Sequence, residues 1–95
     1  MSNEISAELV SSLVMVVSVK FYGVHRALTS TREIQVPLLK DGRVSDVISH
    51  IKGCFPALQL SEKDVLVSVN NKVSHMDQVL MADDKITFLP HIGGG

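Results

Sequence analysis

Cysteine, net charge and long apolar runs are all scarce in this sequence, and each scarcity excludes a class of protein. The single cysteine, Cys54, allows no internal disulfide framework, no cysteine-rich zinc site and no plant-type iron–sulfur cluster. A reducing, cytoplasmic compartment is therefore expected. Nine basic and ten acidic residues leave a formal net charge of −1, which predicts no nucleic-acid partner. The longest apolar run, residues 13–19, is far shorter than the roughly 20 residues of a membrane span.

The composition nevertheless supports one well-packed domain. The chain has 95 residues, of which 45% are hydrophobic and 20% charged, and this length builds a single core. The four histidines are dispersed along the chain, which predicts no metal site. Cys54 stands just before Phe55-Pro56 and is interpreted as a partly buried structural thiol.

Alternation of apolar and polar side chains predicts the first two strands. Residues 15–21 and 33–38 both show this period of two, and the first is rich in β-branched residues. Residues 28–31 predict a turn, so the two strands are expected to form a hairpin. Pro37 has no N–H to donate to a ladder, which predicts an edge position for the second strand.

A helical period follows the second strand. Four apolar residues recur at positions i, i+3, i+4 and i+7, which predicts one buried helix face. These residues are Val44, Val47, Ile48 and Ile51. Gly53 predicts the end of the helix. Arg43 stands at the capping position, where its side chain cannot accept a hydrogen bond, so the N-terminal cap must come from elsewhere.

Further strands are predicted at residues 65–69 and 85–89, with a short return strand that begins at Val73. Asn70-Asn71 and Asp83-Asp84 predict the turns between them, and Pro90 ends the last strand. The order β-β-α-β-(β)-β predicts an α+β domain with one main helix packed across a mixed four- to five-stranded sheet. This arrangement fits the ubiquitin-like β-grasp fold.

The end of the sequence is Gly93-Gly94-Gly95. Glycine loses more conformational freedom on ordering than any other residue, so packing rarely explains such a run. An extended tail from His91 would reach about 17 Å at ~3.4 Å per residue and would fit a channel too narrow for a Cβ. We expect an extension at residues 1–13, either a short amphipathic helix or frayed, then a domain at 14–90 and a flexible tail at 91–95.

These strands, the helix and the tail together resemble the MoaD/ThiS family of sulfur carriers, most of all the small subunit of molybdopterin synthase. The resemblance covers about residues 15–95. The segments that carry it are residues 19–28, 44–48, 65–74 and, above all, 80–95 (LMADDKITFLPHIGGG). In the last segment an acidic turn, an apolar strand, a proline and a terminal Gly-Gly stand at fixed spacing.

The resemblance implies a carrier that is not itself an enzyme. An E1-like adenylyltransferase would use ATP to adenylate the carboxylate of Gly95, and sulfur would then displace AMP to leave a thiocarboxylate. The carrier would bind no cofactor of its own. It would insert its tail into the large subunit of molybdopterin synthase, within a heterotetramer, where the sulfur builds the dithiolene of molybdopterin.

The resemblance also implies which residues contact partners. They are Tyr22, Arg26, Val73, Leu89, Pro90 and Ile92. The alternation of the last strand supports Leu89 independently, because Leu89 points outward if Ile86 and Phe88 face the core. Gly94 would keep the tail narrow behind Gly95, and Gly93 stands where the family more often has alanine or serine.

Three other functions fit the same pattern. The first is a ubiquitin-like protein modifier, with or without a role in tRNA thiolation, whose Gly95 would end in isopeptide bonds. Pro90, two residues after Phe88, favours the carrier over this modifier. The second is a sulfur carrier of the thiamine pathway, although such carriers are typically shorter. The third is a plain β-grasp interaction module with an incidental tail.

Overall fold

The computed structural model describes residues 13–58, 60 and 65–90. Most of the expected N-terminal extension and the whole tail at 91–95 lie outside these residues, so both expectations stay predictions. The elements are β1 (Val14–Lys20), α1 (Gly23–Thr29), β2 (Glu33–Leu39), α2 (Val44–Cys54), β3 (Val65–Val69), β4 (Lys72–Ser74) and β5 (Lys85–Pro90).

The five strands form one mixed sheet in the order β2-β1-β5-β3-β4. The last strand, β5, occupies the centre of the sheet. It pairs in parallel with β1, from Ser18 opposite Lys85 to Lys20 opposite Thr87, and antiparallel with β3 on its other side. The predicted mixed sheet, with a main helix packed against it, is confirmed.

One face of the sheet and one face of α2 form the core. All four helix residues that the periodicity predicted are buried: Val44, Val47, Ile48 and Ile51. The buried strand residues belong to the same cluster, and they are Met15, Val17, Val19, Val36, Leu38, Val65, Val67, Val69, Ile86 and Phe88. Burial of each large apolar side chain stabilises the fold by about 1.5–3 kcal/mol relative to leaving that side chain exposed.

The connection between β1 and β2 differs from the prediction. A turn at residues 28–31 was expected, but the chain first forms the seven-residue helix α1, which ends at Thr29. Ser30 follows it in a left-handed conformation, with φ 56°. Helix α1 buries His25 and Thr29, while Val24 and Leu28 are exposed. The apolar pattern therefore does not mark the buried face of this helix. Strands β1 and β2 still pair antiparallel, as predicted.

The ends of α2 lie close to the predicted positions but depend on other residues. The Asp46 carboxylate accepts a hydrogen bond from the Arg43 backbone N–H at 2.8 Å, so the cap comes from the first turn of the helix itself. Gly53 lies inside the helix, which ends at Cys54. Phe55 leaves the helical conformation because it precedes Pro56. Among the described residues, no helix is long and apolar enough to cross a membrane.

Both predicted turns are present, and they contact each other. Asn70 and Asn71 have φ values of 51° and 71°, as expected for a two-residue hairpin turn of type I′. The Asn70 amide donates to the Asp84 carboxylate at 2.9 Å and accepts from the Lys85 backbone N–H at 3.0 Å. The β3–β4 hairpin is therefore fixed to the start of β5.

Pro37 lies on a free edge of the sheet, as predicted. Lys40 N–H donates to Leu13 O, and Phe21 N–H donates to Arg32 O, one at each end of the β1–β2 ladder. In an antiparallel ladder, residue pairs that exchange backbone hydrogen bonds alternate with pairs that do not. Pro37 is opposite Val16, and counting from the two bonds above shows that this pair exchanges none. The nitrogen of Pro37 therefore faces the open edge, and its missing N–H removes no bond from the ladder.

We predict that Asp46→Ala lowers the free energy of unfolding by about 0.5–2 kcal/mol, because the mutation removes the N-terminal cap of α2 and a favourable charge at that end. Urea denaturation followed by circular dichroism measures the loss. Ser49→Ala, at an exposed position of the same helix, is the matched control and should stay within about 0.5 kcal/mol of wild type. An Asp46→Ala variant as stable as the control would contradict the assignment of the cap.

Candidate partner-binding face and tail root

The sheet face away from α2 is built by the alternate residues of the central strand. Ile86 and Phe88 are fully buried on the inner face, whereas Leu89 is 40% exposed on the outer face. The predicted outward orientation of Leu89 is therefore confirmed. The residue that follows it, Pro90, is the last of β5 and pairs with Val65.

Two further apolar side chains lie beside Leu89 on the outer face. Leu66 is directly opposite Leu89 on β3 and is 41% exposed. Val73 is opposite Ser68 on β4, which makes it a diagonal neighbour of Leu66, and it is 71% exposed. We call Leu66, Val73 and Leu89 the outer patch. A cluster of exposed apolar side chains is typical of an interface.

Leu66 was not among the predicted contact residues. The signal for it was present, since the alternation of residues 65–69 that buries Val65, Val67 and Val69 leaves Leu66 on the other face. Val73 and Leu89 are predicted contacts that the structure brings onto one face.

Tyr22 lies near the same end of the sheet. It follows β1 by two residues in an extended conformation, with φ −131° and ψ 157°, so the register of β1 with β5 carries it level with Leu89. Its ring is 42% exposed, and the Lys20 Nζ lies 5.4 Å from the ring centre. This cation–π contact favours one orientation of the ring.

A polar groove of about 430 Å³ lies on the rest of the outer face. Its lining includes Lys20, Glu33 and Lys85 together with the hydroxyls of Ser18 and Thr87. The outer face is thus apolar towards the root of the tail and polar towards the start of β5. A partner on this face meets both kinds of surface.

Arg26 lies outside the outer patch. It stands on α1, exposed, and lines a different groove of about 600 Å³. The remaining lining residues are Gly23, Ala27, Ser30, Thr31 and Arg32. The predicted contacts therefore fall into two groups, one on the sheet and one on α1. Ile92, Gly93, Gly94 and Gly95 lie outside the described residues.

Cys54 is exposed, so the prediction of a partly buried thiol is wrong. As the last residue of α2 it sits one turn after His50, and its Sγ lies 3.5 Å from His50 Nε2. The helix runs one residue beyond Gly53, and this extra residue carries the thiol to the surface. Within the described ranges no three His, Cys, Asp or Glu side chains gather where they could hold a metal ion.

We predict that Leu66→Ser and Leu89→Ser each lower the free energy of unfolding by less than about 2 kcal/mol, because both side chains are already about 40% exposed. Phe88→Ala, one residue away on the buried face, should cost about 3–5 kcal/mol. Urea denaturation of the three variants makes the comparison. Equal losses for Leu89→Ser and Phe88→Ala would contradict the outward orientation of Leu89.

The comparisons with known proteins agree with this architecture. A putative molybdopterin converting factor subunit 1 from Pyrococcus furiosus is 26% identical, with a TM-score of 0.72 over 80% of this chain and 97% of that chain. SAMP1 from Haloferax volcanii is 19% identical, with a TM-score of 0.73 over 84% and 99%. The ubiquitin of Caldiarchaeum subterraneum is 14% identical, with a TM-score of 0.60 over 86% and 99%. No curated protein matches the chain.

The structural similarities show a ubiquitin-like β-grasp fold, as the order of predicted elements indicated. The model of the ThiS family covers residues 19–95, which is most of the chain and includes the glycine tail. The chain therefore belongs to the ThiS family, a family of sulfur carriers with the ubiquitin-like β-grasp fold.

Proposed function

We propose that this chain is a cytoplasmic sulfur carrier that serves as the small, non-catalytic subunit of molybdopterin synthase. Gly95 is the reactive position in this proposal. The observation that carries it is the extent of the family match, which continues through the last glycine at residue 95. The similarity to the Pyrococcus furiosus molybdopterin converting factor subunit supports the molybdopterin branch.

The proposed chemistry explains why an activating enzyme is needed. A C-terminal carboxylate is ionised at neutral pH and is a poor electrophile. An E1-like adenylyltransferase joins this carboxylate to AMP, with release of pyrophosphate from ATP, and so forms a mixed anhydride. Hydrosulfide from the sulfur donor then attacks the carbonyl carbon, AMP leaves with the electron pair of the broken C–O bond, and the S–H proton is lost to water. The product is a thiocarboxylate on Gly95.

In this proposal the folded domain is the part that partners hold. Leu89, Leu66 and Tyr22 lie beside the root of the tail, and Val73 extends the outer patch away from it onto β4. A protein that covers this surface is therefore held next to the tail. Burial of apolar surface contributes roughly 25 cal/mol per Å², and the three leucine and valine side chains of the patch supply such surface. The large subunit of molybdopterin synthase is the proposed final partner, in a heterotetramer.

We predict that incubation with the activating enzyme, ATP and a sulfur donor raises the intact mass by the difference between one sulfur and one oxygen atom. Deletion of Gly95 should abolish this gain, because the new terminal carboxylate stops short of the active site. Gly94→Val should also reduce it severely, since a branched side chain widens the tail. Intact-mass spectrometry is the measurement.

Gly93→Ala is the matched control, because alanine is common at this position in the family. It should gain mass at a rate close to that of wild type. Circular dichroism should show that all the tail variants keep the same fold, since β5 ends at Pro90. An unchanged mass for wild type in a mixture that loads another carrier would refute the proposal.

A protein modifier is the second candidate, since the Haloferax volcanii protein named a small archaeal modifier has the same fold. If the chain is a modifier, immunoblots of cells should show a ladder of high-mass conjugates that disappears when Gly95 is deleted. If it is only a sulfur carrier, wild-type cells should show the free chain alone.

Sulfur transfer in the thiamine or tRNA-thiolation pathways would use the same activated tail. A strain that lacks the chain would lose the product of whichever pathway it serves, and this loss separates the two pathways.

A further inference from the structure

We infer that residues 1–12 fold back onto the domain and dock, by Leu9 and Val10, in an apolar groove at the end of the sheet opposite the tail root. We call it the base groove, and its lining is Met15, Lys40, Asp41, Leu80, Met81 and Ala82. The inference does not depend on the proposed function, because no step of the sulfur chemistry uses this groove or residues 1–12.

Backbone hydrogen bonds hold the two walls of the base groove together. One wall is the turn after β2, in which Gly42 N–H donates to Leu39 O at 2.9 Å. The other wall is the segment before β5, where Leu80 N–H donates to Gly42 O at 2.8 Å. Asp83 N–H donates to Val16 O at 2.9 Å, which joins the second wall to β1. The groove therefore has a fixed backbone.

The lining of the base groove is mostly apolar, and part of it is uncovered. Met15 and Leu80 are buried, whereas Met81 is 70% exposed. Leu39, which precedes the lining residue Lys40, is 68% exposed. The volume of about 260 Å³ lies below the roughly 300–1,000 Å³ of small-ligand pockets. This size favours apolar side chains of a protein segment over a free ligand.

Residues 1–12 join the domain at the rim of the base groove. Lys40 N–H donates to Leu13 O at 3.0 Å, so the residue that follows the segment is bonded to a residue of the lining. Leu9 is four residues from Leu13, at most about 14 Å away at ~3.4 Å per residue. A tether this short gives the segment an effective concentration of about millimolar, which favours it over an unconnected partner.

The apolar residues of the segment fit the groove. Leu9 and Val10 are adjacent, and burial of their side chains against Met81 stabilises the docked state. The matched family model begins at residue 19, so residues 1–12 lie outside what the resemblance covers. The docking is therefore a property of this chain rather than of the family.

The charges of the segment also suit this end of the sheet. Residues 1–12 contain Glu4 and Glu8 and no lysine or arginine. The loop between β2 and α2 carries Lys40 and Arg43, both exposed, against the single carboxylate of Asp41. Glu8 directly precedes Leu9, so docking of Leu9 brings a negative charge towards this positive loop. The attraction between them favours the docked state.

The direct test is nuclear magnetic resonance of the full chain. Nuclear Overhauser contacts are expected between the Met81 methyl group and the methyl groups of Leu9 and Val10 in wild type. Their absence would overturn the inference. In a mixture of isotope-labelled and unlabelled chains, these contacts should be found within one chain only. Contacts between two chains would assign the groove to a second copy and overturn docking within the chain.

A chemical test uses oxidation of Met81 by hydrogen peroxide, followed by peptide mass spectrometry. The double variant Leu9→Ser/Val10→Ser should oxidise at Met81 roughly 3-fold faster or more than wild type, because only the undocked fraction exposes the sulfur. Val24→Ser/Leu28→Ser is the matched control: the same residue types are replaced at exposed positions of α1, outside the groove. This control should keep the wild-type rate at Met81.

Met76 reports on the fold itself, because it is partly buried and packs against the core. Its oxidation rate should be equal in wild type and both variants. A wild-type rate at Met81 in the folded Leu9→Ser/Val10→Ser variant would overturn the inference. If Met76 also reacts faster in that variant, unfolding accounts for the change, and the methyl contacts in wild type decide.

Discussion

The parallel pairing of β1 with β5 is the contact on which the rest of the structure depends. It joins the first and last strands of the described chain and thereby inserts β5 into the centre of the sheet. With β3 on its other side, β5 buries Ile86 and Phe88 against the core. Strand β5 is paired with β1 only as far as Thr87, and residues 88–90 pair with β3 alone. The root of the tail is therefore held in the sheet by β3.

This placement separates two tasks between the faces of the sheet. The inner face supplies the apolar burial that stabilises a small domain, and α2 covers it. The outer face is the one proposed to bind partners, with Leu66 and Leu89 paired next to the tail root. Because strand side chains alternate, one strand supplies both faces: Phe88 is buried in the core while Leu89 is exposed on the outer face.

Much of this arrangement could be predicted because its signals are local. The period of α2, the two asparagines of the hairpin and the alternation of β5 each depend on a few neighbouring residues. Helix α1 was not predicted, because it buries the polar residues His25 and Thr29 and exposes the apolar residues Val24 and Leu28. This is the reverse of the burial on which prediction from apolar periodicity depends. The exposure of Cys54 and the pairing of Leu66 with Leu89 depend on where the helix ends and which strands are adjacent. Such tertiary facts are not local to any segment.

Pro37 has a consequence for the behaviour of the molecule in a crowded cell. A long outer strand is a template on which identical chains can stack, and such stacking leads towards fibres. The proline interrupts the row of donors on that strand without weakening the sheet behind it. The edge formed by β2 is thus a poorer template for a second copy of the chain.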